Sequence, residues 1–254
     1  MNVNKNSIMN FITEIKFQSF KQNVPEILDQ CRLADDLKKK RPDKIILKPN
    51  LTINQPHPCT THPELVEQVI IYLRRQSAPP IVIAEGSGGC DTNLAFEQLG
   101  YQRLAEKYGV ELIDLNRIRR VNRRLPEIFF TGRPYIINLP VAKNHSAVSF
   151  TGCLKNLVGC YVNENPEKAL DRHWLKSDLH RLNLHHVILD LNRYIKVNFH
   201  LLDASIGQIN GEVDGAPCQP PLGKLLAGYD GRALDRAACR LFGYNPDEIE
   251  YLSQ

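Results

Sequence analysis

Five short β-rich runs, apolar almost throughout, set the limits on what this chain can fold into. They are 44–48 (KIILK), 80–84 (PIVIA), 110–115 (VELIDL), 135–139 (YIINL) and 199–204 (FHLLDA). Runs of this kind belong to strands covered on both faces, since a strand with one wet face alternates apolar and polar side chains. Helical stripes separate the first three: Leu65, Val66, Val69, Ile70 and Leu73 in one, and the segment 96–108 in another. Strand and helix in alternation predict an α/β fold with a mostly parallel sheet and helices on both faces. With 254 residues, 43% of them hydrophobic and 24% charged, the chain fills one full-sized core, so a single α/β domain over 1–254 is expected.

Other elements follow from spacing. Val24, Ile27, Leu28, Cys31, Ala34 and Leu37 recur at three and four, which predicts one amphipathic helix over 24–40 ending in a solvated lysine run. Thr61 and Glu64 have the spacing of a capping box. Trp174, Leu175, Leu179, Leu182, Val187, Ile188 and Leu191 suggest one or two buried helices, and 208–224, rich in glycine and proline, reads as a long loop. A closing helix is expected over 234–242 with Gly243 at its C-cap.

Charge and cysteine usage exclude several classes. A net charge of +4 suits anionic ligands without marking a nucleic-acid binder. Arg117, Arg119, Arg120, Arg123 and Arg124 form a dense basic patch but lack interleaved aromatics, so a solvated face is expected and RNA or DNA contact is the alternative. No stretch approaches the roughly 18 apolar residues of a membrane span. Residues 1–17 show neither the apolar core nor the cleavage site of a secretory signal, so cytoplasmic residence without a membrane partner is expected. The seven cysteines are odd in number and contain no C-x-x-C pair, which argues against a disulfide framework, a zinc ribbon or a ferredoxin-type cluster run. Core thiols are expected; an iron-sulfur or redox role for Cys59, Cys90, Cys153 and Cys160 is the competing possibility.

Chemistry concentrates in 138–161, NLPVAKNHSAVSFTGCLKNLVGCY. Lys143, Asn144 and His145 are expected just past the carboxyl end of the 135–139 strand, where open α/β sheets bind ligands. Two residues apart on an extended backbone, Lys143 and His145 point to one side, which sets a proton shuttle beside a positive charge. A lysine near other cations can act as base or nucleophile. Thr151, Gly152, Lys155 and Asn156 read as a glycine-led helix start able to hold an anion through hydroxyl, N–H and ammonium groups, or as plain caps.

Taken together, KIILKPNL (44–51), THPEL (61–65), IAEGSG (83–88), LPVAKNH (139–145), TGCLKNLVG (151–159), LHRLNLHHVILDLN (179–192), LLDASIGQINGEVDGAP (201–217) and LLAGYDGRALDRAACRLFGYNPDEI (225–249) resemble the domain of unknown function 362 family. The resemblance implies no particular activity. Some members carry an appended ferredoxin-like module, whose cysteine runs are missing here, so the chain resembles the stand-alone form.

Several residues inside or beside the matched pieces are candidates. Lys48 ends the first strand and Asn50 opens the next turn; His57 and His62 stand before a helix. Glu85 and Ser87 lie in a glycine-rich turn that fits neither G-x-G-x-x-G nor the Walker pattern, so no nucleotide is implied. Glu85, and Asp203 at the end of a late strand, are carboxylates placed to serve as base or metal ligand. His173, His180, His185 and His186 look like a metal nest, but adjacent 185 and 186 diverge around a helix; His180 and Asp190 remain candidates, and Asp230 and Asp235 read as helix-start and packing groups.

The sequence thus points to an enzyme for a small anionic substrate, a phosphate or carboxylate, with the reaction type and oligomeric state open. Lys48, Asn50, His62, Ser87, Thr151, Gly152, Lys155 and Asn156 would bind it, while Lys143, His145, Glu85 and Asp203 would carry the chemistry, with a divalent metal as an optional cofactor ahead of an iron-sulfur cluster. A colourless protein is expected from anaerobic purification; brown material with visible absorbance and bound iron would install the cluster alternative instead.

Overall fold

Strands that are apolar on both faces must be sandwiched between helical layers, and this chain does so around one large sheet. The structure is a computed structural model that describes residues 12–121, 124–162 and 176–254. In chain order its strands are β1 (Ile12–Lys16), β2 (Lys44–Pro49), β3 (Ile81–Glu85), β4 (Glu111–Asp114), β5 (Arg120–Val121), β6 (Leu125–Pro126), β7 (Pro134–Leu139), β8 (Val141–His145), β9 (Ser149–Thr151), β10 (Phe199–Ile209), β11 (Ala216–Pro217) and β12 (Lys224–Gly228). The α-helices are α1 (Phe20–Gln30), α2 (Leu33–Lys40), α3 (Pro63–Arg75), α4 (Thr92–Gln98), α5 (Tyr101–Tyr108), α6 (Cys153–Asn156), α7 (Leu184–Tyr194), α8 (Gly231–Leu241) and α9 (Glu250–Ser253). Strand order is β1-β12-β10-β7-β2-β3-β4. From β10 to β4 every neighbouring pair is parallel, and β12 and β1 add an antiparallel edge.

Winding begins at β2, proceeds outward through β3 and β4, then returns to place β7 and β10 on the other side of β2. The order therefore reverses between β2 and β7, the position at which open α/β sheets leave a crevice beyond the strand carboxyl ends. Side-chain alternation in β2 sorts the two layers: Ile45 and Leu47 pack with α1, α3 and α5, whereas Ile46 joins Val82, Ala84 and Ile136 on the opposite face. Farther along that second face Leu202, Ala204 and Leu226 pack with α6, α7 and α8. Among the described residues no helix is long and apolar enough to cross a membrane.

Several local expectations need correction. The 24–40 helix is two helices, because Arg32 adopts a left-handed conformation (φ 55°) between α1 and α2; apolar periodicity persists across a one-residue change of backbone hand, and Leu33 and Leu37 remain buried. The 96–108 segment is likewise split at Gly100 (φ 83°). His62, not Thr61, caps α3: its Nδ1 accepts from the Glu64 N–H at 3.2 Å. Thr61 instead donates to the Leu139 carbonyl at 2.6 Å and accepts from the Asn50 N–H at 2.8 Å, which ties the ends of β2 and β7 together. Part of the supposed 208–224 loop is ordered as the β10–β11 hairpin, with Gln208 opposite Pro217. The closing helix starts earlier, at Gly231, capped by Asp230, and Gly243 (φ 78°) follows its end as the sequence suggests. His173, Trp174 and Leu175 lie outside the described residues.

The segment after Gly152 also departs from expectation. It is a single α-turn, α6, whose first N–H groups already have an acceptor: Asp235 Oδ1 accepts from Cys153 N at 2.5 Å and Oδ2 from Leu154 N at 2.9 Å. Gly152 is required there because a Cβ would run into Asp235 and the Leu202 and Phe150 side chains. Burial pushes the Asp235 carboxyl up to about 7, against the pull of the two N–H donors. Asp235→Ala leaves both donors buried and unpaired, and should lower stability by about 2–4 kcal/mol, read as a shift of the urea midpoint at constant slope. Because the folded group holds its proton more tightly than the unfolded one, its contribution is complete below pH 3.8 and lost as pH rises through about 7. The melting-temperature advantage of the wild type over Asp235→Asn should therefore shrink across that window.

Candidate functional site

The rim of the sheet at the switch point is not flat, because β10 is eleven residues long. Its first residues pair with β7 and its later ones with β8, Asp203 opposite Val141 and Gln208 opposite Lys143, with an irregularity between. Lys143, Asn144 and His145 do follow the carboxyl end of β7, and the backbone there is extended. They are the last three residues of strand β8, which turns back as β9 and pairs on its other side with β10. The tip of the β10–β11 hairpin, 210–214, also lines the resulting cavity, whose volume is about 700 Å³.

Register decides what faces the cavity. Lys143 is directly opposite Thr151 in the antiparallel β8–β9 pair, so the two share a face, and His145, two residues on, shares it too. The Lys143 ammonium donates to Asn50 Oδ1 at 3.0 Å, to the Cys59 carbonyl at 2.8 Å and to the Glu212 carbonyl at 3.1 Å. Burial lowers its pKa, opposed by Cys59, Glu212 and Glu85. His145 Nδ1 accepts from the Ala147 N–H at 3.0 Å, which leaves the proton of the neutral ring on Nε2, 3.6 Å from Glu212 Oε1. Glu212 accepts from Ser146 N and Oγ at 3.1 and 3.0 Å; burial pushes its pKa up, yet these bonds and the Lys155 charge hold it below the usual carboxylate range.

Two more lysines line the cavity. Lys155 has no hydrogen-bond partner among the described residues; burial, and then the neighbouring Lys143 charge, bring its pKa down to about 8. Lys176 donates to the carbonyls of Gly159 and Tyr161, each at 2.7 Å, and burial lowers it to about 8 as well. Behind this surface runs a line of amides: Asn50 Nδ2 donates to Asn156 Oδ1 at 2.9 Å, Asn156 Nδ2 to Asn138 Oδ1 at 2.7 Å, and Asn138 Nδ2 contacts His200 Nδ1 at 3.1 Å. Burial lowers His200 to about 4, so its ring is neutral near pH 7.

Of the residues singled out from sequence, Asn50, Glu85, Lys143, His145, Thr151, Lys155 and Asn156 come together at the cavity. Lys48, His62, Ser87, Gly152 and Asp203 do not line it. Lys48 is fully buried behind Glu85, at 2.7 Å from Oε1, and also donates to the Pro49 carbonyl at 3.1 Å. His62 is spent on the α3 cap and stacks on Phe20, ring centroids 5.3 Å apart. Ser87 Oγ donates to the Leu51 carbonyl at 2.5 Å, and Gly152 makes room for Asp235. Asp203 is buried against His57 Nε2 at 3.0 Å and accepts from Ser205 N at 2.8 Å.

The other candidates are dispersed. Asp190 and Arg193 form an exposed pair, His186 meets Glu250 at 3.1 Å, and the His180 side chain lies outside the described residues. All seven cysteines are free thiols, and no group of three or more His, Cys, Asp or Glu among the described residues is arranged to hold a metal. In the arginine patch Arg117 pairs with Asp91 and Asp114, Arg119 with Glu127, and Arg124 lies 5.8 Å from the Tyr161 ring; Arg123 is outside the described residues. Lys176, Ser146, Glu212 and Asp214 also line the cavity and were not singled out. For Glu212 and Asp214 the acidic positions within the glycine-bounded GEVDG turn were the available signal; for Lys176 there was none.

Comparisons with known proteins agree with the fold. The family model described as a domain of unknown function (DUF362) matches residues 45–240. A thylakoid-associated protein of Synechocystis is 26% identical over 82% of this chain, which spans 65% of that relative's length. A crystal structure of a Thermotoga maritima protein, a structural genomics target, aligns with a TM-score of 0.54 at 13% identity, covering 91% of this chain and 60% of that one. That likeness is one of fold alone.

Lys48→Met would strand the Glu85 carboxylate in the interior and should destabilise the protein by about 3–5 kcal/mol in denaturant titrations. The double variant Lys48→Met with Glu85→Gln should recover part of that loss.

Proposed function

Because the chain belongs to the domain of unknown function family DUF362, whose description carries no activity, we propose from its cavity that it is an enzyme acting on a small molecule bearing a carboxylate or phosphate. One observation carries the reading: Lys143, Lys155 and Lys176 all face the cavity, and none has a carboxylate within ion-pair distance among the described residues. Lys143 and Lys176 are held by neutral carbonyl and amide oxygens. Removing ammonium groups from water without a counter-charge is costly, and a ligand anion entering the cavity offsets that cost.

The roles differ from those the sequence suggested. Lys155, the Thr151 hydroxyl and the uncommitted N–H of Lys176 meet the anion, while Lys143, saturated by its three acceptors, supplies fixed positive charge. Preorganised charge of this kind in a partly desolvated site is the main catalytic term. His145 Nε2 and Glu212 form the proton-transfer pair. Glu85, paired with Lys48 and accepting from Leu51 N and Gly86 N, acts as a scaffold rather than a base. Cytoplasmic residence belongs to the same reading, supported by thiols that are all unpaired; the thylakoid association is said of the relative only.

Inorganic phosphate and malonate should raise the melting temperature of the wild type, by the increment expected of a ligand that binds only the folded state. Lys155→Met should abolish that increment while leaving the ligand-free protein as stable as the wild type or more so, because a half-buried cation is removed. Anion binding should weaken as pH rises through about 8, where Lys155 and Lys176 lose their protons. Undiminished stabilisation of Lys155→Met by both anions would sink the proposal. Lys143→Ala is a poor substitute, since it orphans the Cys59 and Glu212 carbonyls and would unfold the rim.

A further inference from the structure

Within the anion-site reading, on which this step rests, the three cavity lysines are not equivalent. Lys143 spends its N–H groups on three acceptors and Lys176 donates to two carbonyls, so the nitrogens of both are held in place by their acceptors. Lys155 alone presents an amine with no described hydrogen bond to the cavity. We infer that Lys155 is a nucleophile that condenses with the carbonyl carbon of a small oxo acid, whose carboxylate is held by the surrounding cationic wall.

Three features support the assignment. A lysine is activated when it is desolvated beside another fixed cation, because both effects disfavour its charged form. Lys155 has both: it projects from a four-residue helix pinned by Asp235, and its charged neighbour Lys143 is immobilised by bonds to neutral partners. A pKa near 8 leaves an appreciable neutral fraction at neutral pH. The cavity also contains the groups such a condensation needs. The Lys155 lone pair forms a C–N bond as the carbonyl π pair moves to oxygen, where the His145 Nε2–H donates a hydrogen bond. Glu212 carries one proton from the nitrogen to that oxygen to give the neutral carbinolamine, then carries the second nitrogen proton to the hydroxyl as the C–O bond breaks, the nitrogen lone pair forms the C=N bond and water leaves. The balance is amine plus carbonyl giving imine plus water, with no oxidant or reductant. Third, an oxo acid matches both halves of the site, a carboxylate for the fixed charges and an adjacent electrophilic carbon for the free amine.

Reductive trapping tests this on the full chain. The protein is incubated separately with pyruvate, glyoxylate and 2-oxoglutarate in the presence of cyanoborohydride, with lactate as the carbonyl-free control, and digested for peptide mass spectrometry. The expected result is one adduct, with a mass increment equal to the oxo acid less one oxygen atom, on the peptide containing Lys155, with none from lactate. Lys155→Arg keeps the cation, so it should retain stabilisation by phosphate and lose the adduct. If that variant fails to fold, site mapping on the wild type decides alone. Phosphate stabilisation without any Lys155 adduct from the three oxo acids overturns this inference and leaves the anion site standing; no stabilisation and no adduct overturns both. Modification spread over surface lysines, with Lys155 not preferred, also counts against it.

Discussion

An ammonium and a carboxylate sealed from water, Lys48 and Glu85, 0% and 2% exposed and 2.7 Å apart, join the carboxyl ends of β2 and β3, beside the point where the strand order of the sheet reverses. Two charges in such a place are tolerable only if each is fully answered, and the local backbone is arranged to answer them. Leu51 N and Gly86 N donate to Glu85, and the Pro49 carbonyl takes a second bond from Lys48. Gly159 packs on both charged groups so closely that any side chain there would displace them. The ends of β2 and β3 and the turn after α6 are thereby fixed relative to one another, and the cavity floor is built on that junction.

Above the floor, the site exists because β10 runs past the end of β7. A strand that stopped where β7 does would leave β8 without a parallel neighbour, and Lys143 would sit on a solvated loop. With the overhang, Gln208 pairs with Lys143, and the hairpin tip that follows delivers the Glu212 carbonyl to the Lys143 ammonium and the Glu212 carboxylate to Ser146 and His145. Lys143 is therefore a structural tie as much as a source of charge. The same hairpin tip accepts a weak contact from Cys59 Sγ to the Val213 carbonyl at 3.2 Å, which draws the loop after β2 into the same assembly.

Acids and bases are distributed with a clear division. Where the protein buries a carboxyl group it satisfies it with its own groups: Asp235 at the start of α6, Glu85 with Lys48, Asp203 with His57. On the cavity side Lys143 and Lys176 are met by neutral oxygens and Lys155 by no hydrogen-bond partner among the described residues, so the positive charge there is left to be balanced from outside. Amide side chains of Asn50, Asn156 and Asn138 carry the packing between these two regimes, because an amide satisfies buried donors and acceptors without adding charge.

From the chain alone, the parallel sheet, the helices on its two faces and the gathering of polar residues around 143–156 were legible, since apolar runs and their periodicity encode burial and face directly. Same-side placement of Lys143 and His145 was also legible, following from the two-residue repeat of an extended chain. Which lysine reaches the cavity and which pairs inside was not: Lys48 meets a partner 37 residues away and the α6 amides meet one 82 residues away, and no local pattern records such a meeting. Nor could the glycines at 152 and 159 be assigned, because both are required by side chains from distant elements rather than by a turn. Composition and spacing determined where burial and polarity fall along the chain; only the tertiary structure decided which charges are answered internally and which face the cavity, because that depends on distances between segments that sequence order does not fix.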